Sequence, residues 1–144
     1  MIIGIDPGAN GGIAWIGRDG VGVEPIKGMT ERDIYRLLFG LFADSIGEPH
    51  CYIEHVHSSP QMGVKSAFSF GQNYGTLRMA VIAAGIPLET VSPAKWQGDL
   101  KCRTKGDKNV TKRKAQELFP QIKVTHAIAD ALLIAEWGRR VRGL

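Results

Sequence analysis

Long apolar runs are missing from this 144-residue chain. The longest, Met79–Ala84, is far too short to cross a bilayer, so no membrane-embedded role is expected. No basic segment followed by an apolar one opens the sequence, so no secretory signal is expected. Cysteine is scarce. Cys51 and Cys102 stand far apart with no CxxC spacing, which argues against a thiolate metal site and a disulfide framework. A reducing, cytoplasmic setting is the simpler expectation. Internal repeats and low-complexity linkers are also lacking. What remains reads as one domain, 1–144, with enough chain for a single sizeable core.

Acidic charge is the other shortage. Lys and Arg number 18 against 14 Asp and Glu, and the net charge of +4 is unevenly spread. Lys95, Lys101, Arg103, Lys105, Lys108, Lys112, Arg113 and Lys114 fall within one stretch, offset only by Asp99 and Asp107. The tail adds Arg139, Arg140 and Arg142. Clustered positive charge points to a polyanionic partner, nucleic acid first. The competing reading is a solvated basic loop.

What is present is organised around Met1–Gly17, MIIGIDPGANGGIAWIG. Ile2, Ile3 and Ile5 supply β-branched bulk and Asp6 ends the run. Pro7, Gly8, Asn10, Gly11 and Gly12 are turn chemistry, and Ile13–Ile16 restart an apolar strand, so the unit is a hairpin. An Asp beside an apolar run is costly unless capped, paired with a cation or bound to a metal. The side chain can equally cap the turn.

Val21–Ile26 is a third strand in the same meander. Thr30 then reads as an N-cap for a helix over Glu31–Ser45, with Ile34, Leu37, Leu38, Leu41 and Phe42 at helical spacing. Cys51–Ile53 is a buried strand ending in Glu54, and His55–Gln61 a polar loop. Ser66–Ala84 is helical, with Phe68, Phe70, Leu77, Val81 and Ile82 as its apolar set. Gly71 and Gly75 inside it suggest close approach of another helix or a ligand. Leu88–Val91 is a strand, and Ser92-Pro93 starts a helix. Trp96–Asn109 reads as an irregular, mobile basic loop and Thr111–Phe119 as a short basic helix. Ile122–Val124 is a small strand or extended connection, and Thr125–Arg142 a last helix capped by Thr125. Strands alternating with helices imply parallel crossovers, so the expected fold is α/β: a mixed five-stranded sheet flanked by helices.

Three acidic residues occupy special places. Asp6 ends the first strand, Glu54 ends the fourth, and Asp130 interrupts the apolar stretch Ala127–Ala135. If the first and fourth strands are neighbours, the last helix can lay Asp130 across the other two. Three close carboxylates raise one another's pKa, and a hard divalent cation such as Mg²⁺ resolves the repulsion. Two such ions can clamp the oxygens of a phosphodiester. Each carboxylate alone also has a plain role as a turn cap, strand-end residue or helix-surface acid. His126 lies four residues before Asp130, on the same helix face, and can orient or deprotonate a water. It can equally be a surface residue. His55 and His57 alternate after Glu54, but no third ligand for zinc is spaced suitably.

GIDPG at Gly4–Gly8, YIE at Tyr52–Glu54, FGQNYG at Phe70–Gly75 and ADALLIA at Ala129–Ala135 resemble, in order and across nearly the whole chain, the RuvC-type Holliday junction resolvases. The short phage and poxvirus-like members are the most similar. The resemblance implies an RNase H-like, or retroviral-integrase-like, fold. It implies a homodimeric endonuclease that resolves four-way junctions and other branched DNA, dependent on Mg²⁺ with Mn²⁺ substituting. Asp6, Glu54 and Asp130 would be catalytic metal ligands, and the Lys95–Lys114 cations would contact DNA. Phe68 and Phe70 would sit on the helix that forms the dimer and junction face. One departure stands out. The family carries an acidic residue or His one turn before the last Asp, in many members three residues before. Here that position is Ala127, and His126, one residue earlier, would take the role. Alternatives are a broader flap or branched-DNA endonuclease and a junction-binding module with weak or no cleavage. A sugar-kinase or actin-like ATPase fragment is a third, although no second phosphate loop appears.

Overall fold

The computed structural model describes residues 1–144. Its elements are β1 (Ile2–Asp6), β2 (Gly12–Gly17), β3 (Gly20–Pro25), α1 (Glu31–Asp44), β4 (His50–Glu54), α2 (Val64–Ala83), β5 (Leu88–Val91), α3 (Pro93–Asp99), α4 (Asn109–Leu118) and α5 (His126–Val141). The five strands form one sheet in the order β3-β2-β1-β4-β5. β1, β2 and β3 are antiparallel neighbours, whereas β4 runs parallel to both β1 and β5. The meander and the crossovers expected from the sequence are both present. No helix is long and apolar enough to cross a membrane.

β1 is central and covered on both faces, which explains its nearly unbroken isoleucines. Alternation then sorts its side chains. Ile3 and Ile5 join Ile34, Leu38, Leu77 and Val81 of α1 and α2 in one core. Ile2 joins Leu132, Ile134 and Trp137 of α5 in the other. Asp6 shares the parity of Ile2 and Gly4, and Glu54 that of Tyr52. Both carboxylates therefore leave the sheet on the α5 side. α5 itself is buried from Ala131 through Gly138, so it is the spine of that layer.

Gly4 makes this packing possible. A Cβ there would overlap the Ala131 carbonyl and the Ala135 amide of α5. Gly4→Ala should therefore lower unfolding free energy by about 1–3 kcal/mol, the usual range for overpacking. A denaturant titration with an unchanged midpoint would refute this.

Several local expectations need correction. Gly71 and Gly75 have no atom of the chain near a notional Cβ, so they do not mark a close helix contact. Gly71→Ala should instead stabilise the metal-free protein by about 0.5–1 kcal/mol through helix propensity alone. Of the apolar set assigned to α2, only Leu77 and Val81 are buried, together with Ala80. Phe68 is 73% exposed and Ile82 54% exposed. Trp96–Asn109 is not one loop, because α3 runs to Asp99 and α4 begins at Asn109. Trp96 faces the core, which is why a helix forms where charge and glycine suggested none. Of the two forms expected for Ile122–Val124 the structure takes the connection, tied down at both ends by Gln116. Thr125 precedes α5 in extended geometry, but its side chain makes no capping bond. Thr30 does, in a reciprocal pair with Asp33.

Candidate active site

β1 and β4 are in register from Ile2↔His50 to Ile5↔Ile53. One step further, Asp6 and Glu54 end neighbouring parallel strands. α5 crosses this edge with Asp130 on its first turns. All three carboxylates, with Lys108, Thr111 and His126, line a single cleft closed on one side by the Gly8–Gly11 turn. The convergence expected from three separate stretches of sequence is present.

The turn is tightly built. Gly8 donates its N–H to Asp6 Oδ1 at 3.2 Å, so Asp6 is a turn cap as well as a cleft residue. The Gly11 amide closes the turn on the Gly8 carbonyl at 2.8 Å. From α2, the Asn73 side-chain amide donates to the Pro7 carbonyl at 2.8 Å. A Cβ on Gly11 would overlap the Asp6 carbonyl, and one on Gly12 would press on α5 at Ala127. Those two glycines serve internal packing, whereas Gly8 faces open space beyond Asp6.

Burial is the main electrostatic influence on the site, ahead of mutual repulsion. It lifts Asp6 to about 6, with the Asp130 charge adding to the rise and Lys108 opposing it. It lifts Glu54 to about 7, with Asp6 and Asp130 adding and the Trp96 indole opposing. Asp130 is also raised by burial, against Thr111, Lys108 and His126. Desolvation penalises each charged form, and no built-in cation neutralises the set.

An all-oxygen donor set suits a hard divalent ion. Asp130 Oδ1 is buried without a hydrogen-bond partner, as an oxygen kept for a cation would be. The cage is open, however, since no three His, Cys, Asp or Glu side chains stand close enough to hold one ion together. Glu54 instead receives the Trp96 indole N–H on Oε2 at 2.7 Å. His126 lines the cleft on the face of Asp130, and Ala127 lines it without a donor group. The His55 and His57 rings lie 6.4 Å apart with no third ligand beside them.

The cationic stretch divides. Lys108 alone of these residues lines the cleft, at the entrance to α4. Lys95 is paired with Asp99 at 2.9 Å and Lys114 with Glu117 at 3.5 Å. Lys101, Arg103 and Lys105 are exposed and make no ion pair, and Lys112 and Arg113 follow on α4. Lys101 and Lys105 have φ values of 56° and 46°, a costly conformation for a side-chain-bearing residue. The tail arginines belong elsewhere. Arg139 and Arg140 clasp Glu136, and Arg142 donates to Tyr52 and Glu89. Sequence reading missed Trp96 and Thr111 as site residues. A Trp one turn after a Ser-Pro helix start was the available signal for the first.

A five-stranded mixed sheet with this strand order, and carboxylates at the ends of its two central parallel strands, is an RNase H-like fold. Among solved structures it matches that of Thermus thermophilus RuvC, with a TM-score of 0.64 and 18% identity over 98% of this chain and 96% of the other. It also matches T. thermophilus RuvC in complex with a Holliday junction substrate, with a TM-score of 0.67 and 20% identity over 94% and 90%. No protein-family model matches the chain, and no curated protein matches it by sequence. The fold is thus that of RuvC.

Proposed function

We propose that this protein is a structure-specific endonuclease that resolves four-way DNA junctions by divalent-metal-dependent phosphodiester hydrolysis, with Mg²⁺ as the ion and Mn²⁺ able to replace it. The observation that carries the reading is the meeting of Asp6, Glu54 and Asp130 in one cleft beside a cationic segment. The fold supports it, since its solved counterpart was captured with a Holliday junction substrate.

Asp6, Glu54 and Asp130, which line the cleft without meeting at one point, would supply the oxygens that draw in around the ion, which when bound supplies Lewis acidity and a more acidic water. Lys108 brings a positive charge into the cleft, where it meets a phosphate. His126, in the same cleft, holds or passes a proton there. Lys101, Arg103 and Lys105, free of carboxylate partners, take the flanking backbone and set register rather than sequence. Two copies would offer two such clefts to the two strands that must be cut. The exposed Phe68 and Val64 on α2 support a face for that pairing.

The test compares labelled four-way junction, flap and linear duplex with Mg²⁺. The junction should be cut in paired strands and the linear duplex left intact. Equal cutting of all three would refute structure specificity. Ala127 and the open cage favour one second reading, a junction-binding module, which tight binding without cleavage in Mg²⁺ or Mn²⁺ would select. Binding should also be steeply salt-dependent. Replacing Lys101, Arg103 and Lys105 together with Ala should flatten the slope of log K against log salt by about 3, close to one for each phosphate no longer neutralised. An unchanged slope would remove these residues from the interface.

A further inference from the structure

Trp96 has a role that neither charge pattern nor hydropathy announces. Ser92 caps α3 through a bond to the Lys95 amide, which fixes Trp96 one turn into the helix. The ring is fully buried, at 0% exposure, among Val91, Leu100, Ala115 and Leu132. Such a ring has no freedom to turn, yet its N–H must find an acceptor. The acceptor is Glu54 Oε2 at 2.7 Å, a residue 42 positions earlier on β4. That separation lies at the short end of the N–H···O range.

A second tryptophan secures the same helix from the other side. Trp137 of α5 donates its indole N–H to Asp99 Oδ2 at 2.7 Å. Thus α3 is pinned to β4 by its own indole and to α5 by its neighbour's. These are the elements that carry Glu54 and Asp130. The two bonds have the same donor chemistry and length, but only one ends on a cleft carboxylate.

We propose that Trp96 is the positioning residue for Glu54: its indole N–H fixes Oε2 at the end of β4 and leaves the second carboxylate oxygen for the cation. This rests on the metal-dependent reading above. A group that orients a metal ligand typically governs affinity by about 10- to 100-fold. The bond also links ligand geometry to α3, the helix that leads into the exposed cationic segment.

The test is a calorimetric titration of Mn²⁺ alone into wild type, Trp96→Phe and Trp137→Phe. Trp96→Phe keeps most of the ring and removes only the donor. It should weaken Mn²⁺ binding at least about tenfold. In cleavage assays it should raise the Mg²⁺ concentration for half-maximal rate more than it lowers the rate at saturation. Trp137→Phe loses an equivalent buried donor and should leave Mn²⁺ affinity within about twofold, which separates positioning from general loosening of α3. Should Trp96→Phe fail to fold, the ¹⁵N-indole resonance of Trp96 in wild type decides. It should move as Mg²⁺ saturates and should also differ in Glu54→Gln. Equal Mn²⁺ affinity in wild type and Trp96→Phe, or an indole resonance indifferent to Mg²⁺, would overturn the proposal. Absence of Mn²⁺ binding to wild type would instead overturn the metal-dependent reading on which it rests.

Discussion

Asp6→Asn should abolish cleavage of a four-way junction while leaving junction binding equal or tighter. Asp6 ends the central strand and lines the cleft with Glu54 and Asp130. Asn keeps the shape and the acceptor for the Gly8 amide but removes the charge that would draw a divalent ion. Such an ion is worth several kcal/mol to a phosphoryl transition state, which at tenfold per 1.36 kcal/mol amounts to at least about a thousandfold in rate. Binding should survive because the exposed cations of the Lys101–Lys108 segment are untouched, and one fewer negative charge faces the phosphates. The measurement is single-turnover cleavage with Mg²⁺ beside a gel-shift titration without it. Cleavage within tenfold of wild type would remove Asp6 from the chemistry. Loss of binding with loss of cleavage would mean that the variant disrupts the fold of the turn.

The same substitution should make the metal-free protein more stable at alkaline pH. Folding raises the Asp6 carboxyl from 3.8 to about 6, chiefly by burial and then by the Asp130 charge. A raised carboxyl means that the folded state holds its proton more tightly than the unfolded one. The stability this contributes is complete below about pH 4 and is lost as pH rises through about 6. Glu54, raised to about 7, acts with the same sign over a slightly higher window. Asn at position 6 never ionises, so it escapes the loss. With chelator present, Asp6→Asn should match wild type near pH 4 and exceed it at pH 8 by about 2–3 kcal/mol, at 1.36 kcal/mol per tenfold change in proton affinity. That corresponds to a Tm increase of roughly 5–10 °C. Asp33, Asp99 and Glu136 are lowered and stabilise in the opposite direction, but they are common to both proteins and cancel in the difference. Mg²⁺ at pH 8 should raise the Tm of wild type and not of the variant. A variant less stable than wild type at pH 8 would show that the site is not electrostatically strained.

These two outcomes bear on the same feature from opposite sides. Burying three acids around a single lysine costs stability, and a cation from solution would relieve that cost. Lys108, the one cluster cation in the cleft, offsets the strain on Asp6 and Asp130 but does not remove it.

Much of the frame was legible before any coordinates. The isoleucines of β1, the glycine turn, the Thr30 capping box and the Ser92-Pro93 helix start are short-range chemistry. Each is decided by the φ/ψ preference or side-chain reach of residues within one turn. That Asp6 and Glu54 each end a strand was equally local, whereas the face they share follows from the β1–β4 register, since both strands are buried on both sides. Carboxylates placed against apolar runs also showed, since an acid beside Ala131–Ala135 has no cheap place to go. A helix over the first part of the basic stretch was hidden, because Lys101, Arg103 and Gly98 mask the burial of a single large ring.

By itself, then, the sequence determined the five strands of the sheet, the Thr30 and Ser92 caps, the meander and the three acids that mark the cleft. Tertiary structure alone decided which glycines are sterically required and which are idle. Gly4 meets α5 across the sheet, whereas Gly71 and Gly75, with the stronger local signal, meet nothing. It alone selected Lys108 from eight similar cations, and bonded Trp96 to Glu54 rather than to solvent or backbone. The physical reason is the same in each case. Local pattern governs torsions and the face a side chain takes, but the partner of a buried donor or a close backbone approach is fixed only when elements distant in sequence pack together.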